Sequence, residues 1–146
     1  MAQPAVIQFE ITGANSDVLQ RFYADLFGWN MQSTGTPGYA RTLARDSGIP
    51  GAIGGSWDGG PGHVTVYIEV ADLQQALARA EQLGGKVIEM TSQNPVDRVA
   101  QWSAEHRAFE VPEAGISFAF IADPEGHVIG LSQGLQHALD QFAARR

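Results

Sequence analysis

Apolar and polar positions follow a strand pattern and then a helix pattern near the start of the chain. Ala5 to Thr12 alternates as a strand does, and Ser16 or Asp17 can cap the helix that follows. The apolar positions of this helix recur at helical spacing: Leu19, Phe22, Tyr23 and Leu26. Gly28 ends the helix, and three short strands are predicted after it: Trp29 to Thr34, Tyr39 to Arg45, and Ala52 to Gly54. Residues 5–56 therefore predict a βαβββ module.

The same pattern starts again after a glycine-rich boundary at Trp57 to Gly62. His63 to Val70 predicts a strand, and Asp72 with Gln75 resembles the start of a capping box. The apolar stripe of the next helix consists of Leu73, Leu77, Ala80 and Leu83. Three further strands are predicted: Lys86 to Met90, Ile116 to Ile121, and Val128 to Ser132. We expect one domain over residues 1–146, with a second module at 63–133 and an appended helix at 134–146.

A long segment from Ser92 to Gly115 separates two of these strands and carries Trp102, His106 and Phe109. Loops of this length in compact domains are often functional. Two interpretations are open: a lid over a binding cavity, or a surface excursion whose aromatic side chains pack on the sheet.

Composition and charge narrow the class of protein. Of the 146 residues, 44% are hydrophobic, which suits one globular core, and the net charge of −7 disfavours nucleic acid as a partner. Without cysteine, any metal site needs His, Asp or Glu ligands. No apolar stretch approaches the roughly 20 residues of a membrane span, and the N-terminus lacks a signal peptide pattern. We expect a cytoplasmic protein with no membrane partner.

The most specific motifs are Phe22-Tyr23 followed by Leu26-Phe27-Gly28-Trp29, and the turn Asp123-Pro124-Glu125-Gly126 before a strand. Because these motifs occur in this order and at this separation, the chain resembles the vicinal-oxygen-chelate (VOC) superfamily of glyoxalases, bleomycin-resistance proteins and extradiol dioxygenases. The resemblance covers roughly Val6 to Leu131. The resemblance implies an α+β fold in which two βαβββ modules form a curved mixed sheet around a cavity, with the C-terminal helix added.

Metal-dependent members of this superfamily hold a divalent ion with His or Glu side chains from the first and last strands of each module. On this sequence the resemblance places Gln8, Thr65, Gly130 and the segment Gly54-Gly55-Ser56 at those positions. None of these residues is a His or a carboxylate, so we expect no metal and no other cofactor. A register slip of one residue would offer Glu10 and His63 instead.

Two carboxylates are the candidate catalytic groups, because Glu10 and Glu69 occupy equivalent places in the two modules. If both line a cavity, one of them can act in general acid–base catalysis. The alternative is that they are solvated at strand ends or paired with Arg41 or Arg45. The candidate ligand-binding residues combine the polar ligand positions with aromatic rings that stack on planar molecules: Gln8, Trp57, Thr65, Tyr67, Trp102 and Phe118.

The preferred functional hypothesis is a metal-independent, small-molecule-binding protein like the bleomycin-resistance members of the superfamily. Superfamily precedent and two open sheet edges favour a homodimer. The first alternative is a lyase, isomerase or epimerase that uses a metal ion in another register or the Glu10 and Glu69 pair. The second is a protein-interaction module with a vestigial cavity. The sequence leaves open whether the protein is an enzyme and which molecule it binds.

Overall fold

The computed structural model describes residues 3–56, 60–89 and 100–146, in which strands and helices follow one another as an α+β chain. The strands are β1 Ala5–Gly13, β2 Gln32–Ser33, β3 Tyr39–Thr42, β4 Gly51–Gly55, β5 Val64–Glu69, β6 Lys86–Ile88, β7 Gln101–Ser103, β8 Ala108–Val111, β9 Ile116–Ala122 and β10 Val128–Gln133. The helices are α1 Ser16–Phe27, α2 Ala44–Ser47, α3 Leu73–Gln82 and α4 Leu135–Ala144, with a 3₁₀ helix at Pro112–Ala114. The predicted α+β class with a mixed sheet is confirmed.

The described residues divide into two compact units. The first unit holds residues 7–56 and 60–66, and the second holds residues 3–6, 67–89 and 100–146. The boundary falls inside β5, between Val66 and Tyr67. The predicted boundaries of the modules and of the appended helix stay predictions.

The first unit is built on the strand order β2-β3-β4-β1. β1 and β4 run parallel and pair from Phe9 with Gly51 to Gly13 with Gly55, while β3 is antiparallel to both β4 and β2. The Phe9 ring lies where a side chain on Gly51 would begin, since a Cβ there would be 2.0 Å from the ring. The glycine therefore lets the aromatic side chain cover the neighbouring strand.

The second unit carries the order β5-β10-β9-β8-β7, with β6 also paired to β9. β10 is parallel to β5 and antiparallel to β9. Helix α3 buries Leu73 and Leu77 against this sheet, where they form a core with Val87, Ala108, Ala119 and Leu131. Burying such side chains contributes about 1.5–3 kcal/mol each, so this core stabilises the unit.

The starts of two helices show how well a local sequence pattern predicts the capping residue. At α3 the Asp72 side chain accepts a hydrogen bond from the Gln75 amide at 3.0 Å, which confirms the predicted cap. At α1 the prediction of Ser16 or Asp17 is wrong, because Asn15 accepts from the Val18 amide at 3.1 Å and the helix begins at Ser16. The Asn15 side chain, one position before the predicted caps, accepts a hydrogen bond from an otherwise unpaired amide of the first helical turn.

The expected long loop is wrong within residues 100–115. β7 and β8 form an antiparallel hairpin, with Trp102 opposite Phe109, and β8 pairs with β9. Arg107 closes the hairpin in a left-handed conformation with φ of 50°. Aromatic cross-strand pairing is a favourable contact in a sheet, which explains why this segment is ordered as strands. Residues 92–99 of the expected loop lie outside the described residues.

Helices in the described ranges are too short or too polar to cross a membrane. The predicted cytoplasmic location stays a prediction.

Candidate functional site

A row of polar side chains is buried on one face of β1. Gln8, Glu10 and Thr12 alternate along the strand and are 2%, 3% and 6% exposed. Buried polar groups are costly unless they are hydrogen-bonded, so the partners of these three residues define what this face can do.

Glu10 is held by two side chains of the first unit. Its Oε2 atom accepts a hydrogen bond from the Tyr39 hydroxyl, and its Oε1 atom lies 2.6 Å from Nε2 of His63. The Glu10 side chain is 4% exposed, whereas that of His63 is 32% exposed. The carboxylate is therefore buried behind an imidazole that solvent reaches.

Small residues on β4 make the contact between Tyr39 and Glu10 possible. β4 lies between β1 and β3, and Gly54 is the residue paired with Tyr39. A Cβ on Gly54 would be 2.5 Å from Cδ1 of Tyr39. The missing side chain lets the tyrosine cross over β4 and reach the carboxylate on β1.

Thr12 fixes the backbone of His63. The Thr12 amide donates to the His63 carbonyl at 2.9 Å, and the His63 amide donates to the Thr12 hydroxyl at 3.0 Å. The preceding Gly62 has a φ of 77°, and a Cβ there would lie 2.1 Å from the Thr12 carbonyl oxygen. This close approach requires glycine and holds His63 against β1.

Gln8 has a cationic partner. Nη1 of Arg41 donates a hydrogen bond to Oε1 of Gln8 at 2.6 Å, and the guanidinium carbon lies 6.0 Å from the centre of the Tyr39 ring. Glu10 contacts His63 and Tyr39, and its predicted pairing with Arg41 or Arg45 stays a prediction. Sequence reasoning did not connect Tyr39 with β1.

Aromatic rings line one face of the sheet in the second unit. The ring centroids of Trp102 and Phe109 are 5.2 Å apart, those of Phe109 and Phe118 are 5.1 Å apart, and those of Tyr67 and Phe120 are 5.7 Å apart. Tyr67, Phe109 and Phe120 are buried, whereas Trp102 and Phe118 are partly exposed. We call these five side chains the aromatic face. It contains three of the predicted ligand-binding residues: Tyr67, Trp102 and Phe118.

Gly130 lies under the ring of Tyr67. The two residues are paired across β10 and β5, and a Cβ on Gly130 would be 2.9 Å from Cδ2 of the tyrosine. The tyrosine ring therefore packs on Gly130, which the resemblance places at a metal-ligand position of the superfamily.

Glu69 contacts the start of α4. Its carboxylate accepts hydrogen bonds from the Ser132 hydroxyl at 2.6 Å and from the amides of Gly134, Leu135 and Gln136 at 3.1, 3.3 and 3.2 Å. The amides at a helix N-terminus carry partial positive charge, which favours an anion there. Glu10 and Glu69 thus have different sets of partners.

The remaining predicted site residues are placed as follows. Thr65 is 5% exposed on β5. Trp57 lies outside the described residues. Across the described ranges, no group of three or more His, Asp or Glu side chains is placed to hold a metal ion.

The turn that carries part of the resemblance is built by Asp123. Its Oδ1 atom accepts from the amides of Glu125 at 3.0 Å and His127 at 2.9 Å, and Gly126 has a φ of 91°. The His127 amide bond, with further bonds from the His127 ring and the Glu125 amide, lowers the pKa of Asp123. The aspartate, the proline and the glycine therefore act together as a tight turn before β10.

Comparison with known proteins gives the family. Residues 8–132 match the glyoxalase-like domain. The chain belongs to this family. The match covers most of the glyoxalase-like protein, including both units, and it confirms the predicted resemblance to the VOC superfamily. Among the curated proteins there is no match.

Solved structures agree with the fold of the glyoxalase-like protein. A glyoxalase/bleomycin resistance protein/dioxygenase superfamily member from Vibrio splendidus is 14% identical, with a TM-score of 0.50, over 90% of this chain and 98% of that one. Methylmalonyl-CoA epimerase from Mycobacterium tuberculosis is 17% identical, with a TM-score of 0.50, over 91% of each chain. A 4-hydroxymandelate synthase mutant from Streptomyces coelicolor is 13% identical, with a TM-score of 0.54, over 90% of this chain and 49% of that one. At these identities the likeness shows the fold alone.

Proposed function

We propose that this glyoxalase-like protein binds a small organic molecule without a divalent metal ion. The observation that carries the proposal is the 2.6 Å hydrogen bond from Arg41 to Gln8 at the first ligand position of metal-dependent superfamily members. A divalent cation on the same amide oxygen would lie within a few ångströms of the guanidinium. Like charges repel strongly at that distance in a partly buried site, so arginine and a metal ion exclude each other there.

The other superfamily ligand positions also support binding without a metal ion. Gly130 has no side chain, and the Tyr67 ring fills the space beside it. Ser56 donates its hydroxyl hydrogen to the Gly60 carbonyl at 2.7 Å. Thr65 offers a neutral hydroxyl. Transition metals bind imidazole, thiolate and carboxylate far better than neutral oxygen atoms, so this set does not fit the superfamily's ion.

The aromatic face supports an organic ligand with a planar part. The partly exposed rings of Trp102 and Phe118 stand beside buried rings that hold them in place, with Phe118 stacked on Phe109 at an interplanar angle of 19°. Pre-positioned aromatic rings lose little side-chain entropy when a ligand packs on them. Planar ligands that stack on Phe118 are therefore the expected class.

Thermal-shift screening with aromatic and aliphatic small molecules tests this proposal. We expect aromatic compounds to raise the unfolding temperature, because a ligand that binds only the folded state stabilises it. Phe118→Leu should weaken the binding of the best compound about 2- to 12-fold, since a ring contact contributes about 0.5–1.5 kcal/mol beyond its buried area. Phe27→Leu, which changes an exposed aromatic residue at the end of α1, is the matched control. If no compound stabilises the protein, or if both variants bind alike, the proposal is wrong.

A homodimer remains part of this proposal. Helix α1 exposes an apolar stripe at a spacing of four residues, with Val18, Phe22 and Leu26 58%, 54% and 58% exposed. The stripe includes Phe22 and Leu26, two of the apolar positions that recur at helical spacing in the sequence. Exposed apolar patches are typical of protein interfaces. Light scattering coupled to gel filtration should give twice the mass of the chain, and Phe22→Glu should shift it toward the monomer. A monomer at micromolar concentration would contradict the proposal.

A further inference from the structure

The outer face of α1 is apolar along its centre. Helix α1 packs on β4, and the side chain of Gln20 donates a hydrogen bond to the Ile53 carbonyl on that strand at 2.9 Å. Further partly buried residues of the helix lie on the same side: Tyr23 and Ala24. Residues on the opposite side recur every four positions, and more than half of each is exposed: Val18, Phe22 and Leu26. We call these three side chains the α1 stripe.

Opposite charges flank the α1 stripe along one edge. Arg21 and Asp25 are both exposed, and because they are four residues apart they lie one helical turn from each other on the same side of the stripe. The ion pairs between described residues are made by other side chains. A surface that packs on the α1 stripe therefore meets a cation and an anion at its rim.

A second copy of α1 complements this surface when it runs antiparallel to the first. A two-fold axis between two antiparallel helices brings the same edge of each helix together, because the contact is isologous. If this axis passes beside Tyr23, a residue two positions before it in one copy is level with the residue two positions after it in the other. Arg21 of each copy then lies opposite the partner's Asp25. The arrangement gives two reciprocal ion pairs.

The same register interleaves the two stripes. Side chains of the α1 stripe are spaced by about 6 Å along the helix, because each residue adds about 1.5 Å. With the axis beside Tyr23, those of the partner fall midway between them, so the ridge of one helix fills the grooves of the other. The neighbouring interleaved registers place Arg21 opposite the partner's Arg21, or Asp25 opposite the partner's Asp25. Apolar packing and charge attraction thus favour one register.

We propose that two copies of the chain associate through antiparallel α1 helices, with the α1 stripes interleaved and Arg21 paired with the partner's Asp25 on both sides of the axis. This inference rests on the homodimer of the proposed function and adds how the two chains recognise each other. The apolar contact supplies affinity. The charges at the rim set the direction and the register, because like charges brought together would repel.

Charge reversal tests the ion pairs, with sedimentation velocity at a series of concentrations as the measure of the dimer dissociation constant. Arg21→Asp and Asp25→Arg should each raise this constant at least about tenfold, because attractive contacts become repulsive. An equimolar mixture of the two variants should associate within about threefold of the native affinity, since the acidic edge of one variant then faces the basic edge of the other. Arg145→Asp makes the same change of net charge at an exposed residue after α4, and this matched control should associate as the native chain does.

Disulfide cross-linking tests the direction of the helices, because the chain has no cysteine of its own. In the proposed register Val18 lies about 3 Å along the axis from the partner's Leu26 but about 15 Å from the partner's Val18. Val18→Cys mixed with Leu26→Cys should therefore form disulfide-linked dimers under mild oxidation, whereas each variant alone should not. A parallel pair of helices would instead cross-link each variant with itself.

The outcomes separate this inference from the proposed function. A native dimer that the two charge reversals weaken no more than Arg145→Asp does would overturn the α1 interface and leave a homodimer through another face standing. A mixture of charge reversals that stays dissociated, or Val18→Cys chains that cross-link with one another, would overturn the antiparallel register. A monomeric native chain would contradict the homodimer as well, while thermal-shift screening still decides small-molecule binding. Circular dichroism checks that each variant is folded.

Discussion

Glu69 offers a sharp test because three of its four hydrogen bonds come from backbone amides at the start of α4, and the fourth comes from Ser132 on β10. The Ser132 hydroxyl and three backbone amides converge on one carboxylate. Glu69→Gln keeps the shape of the side chain but removes the charge, and it turns one acceptor oxygen into an NH₂ donor that faces other donors. We therefore expect the variant to fold with a loosened α4.

The magnitude follows from these contacts. An anion at a partly buried helix N-terminus contributes about 0.3–2 kcal/mol through the helix dipole. Weakening two charge-assisted hydrogen bonds to neutral strength removes about 1 kcal/mol each. Because these effects overlap, we expect a loss of about 2–3 kcal/mol in the free energy of unfolding. That loss corresponds to roughly a 30- to 150-fold change in the ratio of folded to unfolded protein.

Urea unfolding followed by circular dichroism measures this loss, and amide hydrogen exchange locates it. Amides in the first turn of α4 should exchange faster in Glu69→Gln than in the native protein. Glu125→Gln, an exposed glutamate in the turn before β10, is the control and should stay within about 0.5 kcal/mol of the native stability. Equal stability of both variants, with unchanged exchange in α4, would refute the capping role and return Glu69 to the set of candidate catalytic groups.

Three further predictions concern the second unit. Gly130→Ala should destabilise the protein by about 1–3 kcal/mol in urea unfolding, because the added Cβ would lie 2.9 Å from the Tyr67 ring; unchanged stability would mean that the ring does not fill this space. Asp123 has a lowered pKa, so its carboxylate stabilises the fold above the ordinary carboxyl pKa, and this contribution is lost as the pH falls through the lowered value. Asp123→Asn should accordingly be less stable than the native protein at pH 7, and the difference should shrink as the pH falls below the ordinary carboxyl pKa, as unfolding curves at a series of pH values will show. The hydrogen bond from Arg107 lowers the pKa of Glu81, so Arg107→Gln should raise that pKa toward its usual range in an NMR titration, and an unchanged value would contradict the pairing.

Local patterns in the sequence were sufficient to predict much of the fold. The Asp72 cap and the Asp123 turn involve residues only a few positions apart, so their chemistry is visible in the sequence. The hairpin of β7 and β8 was missed because the segment mixes charges with Trp102 and Phe109, whose partners lie across strands. Pairing between strands overrides a local pattern that indicates a loop.

The candidate site depended on contacts that no local pattern reveals. Glu10 was chosen for its position, but its partners Tyr39 and His63 are 29 and 53 residues away in sequence. The signal available in the sequence was the run of small residues in β4, since Gly54 is what allows Tyr39 to cross that strand. Glu69 was grouped with Glu10 by the predicted symmetry of the modules, whereas in the structure it accepts hydrogen bonds from the start of α4.

The central claim, binding without a divalent ion, is tested most directly by elemental analysis of untagged protein purified without chelator and then challenged with nickel, zinc, manganese and iron(II). We predict that no metal is retained in stoichiometric amount, and that Arg41→Gln does not change this, since the neighbouring positions still lack anionic ligands. One tightly held ion per chain would contradict the account, because it would require Gln8 to exchange Arg41 for a metal or the Glu10–His63 contact to open around one.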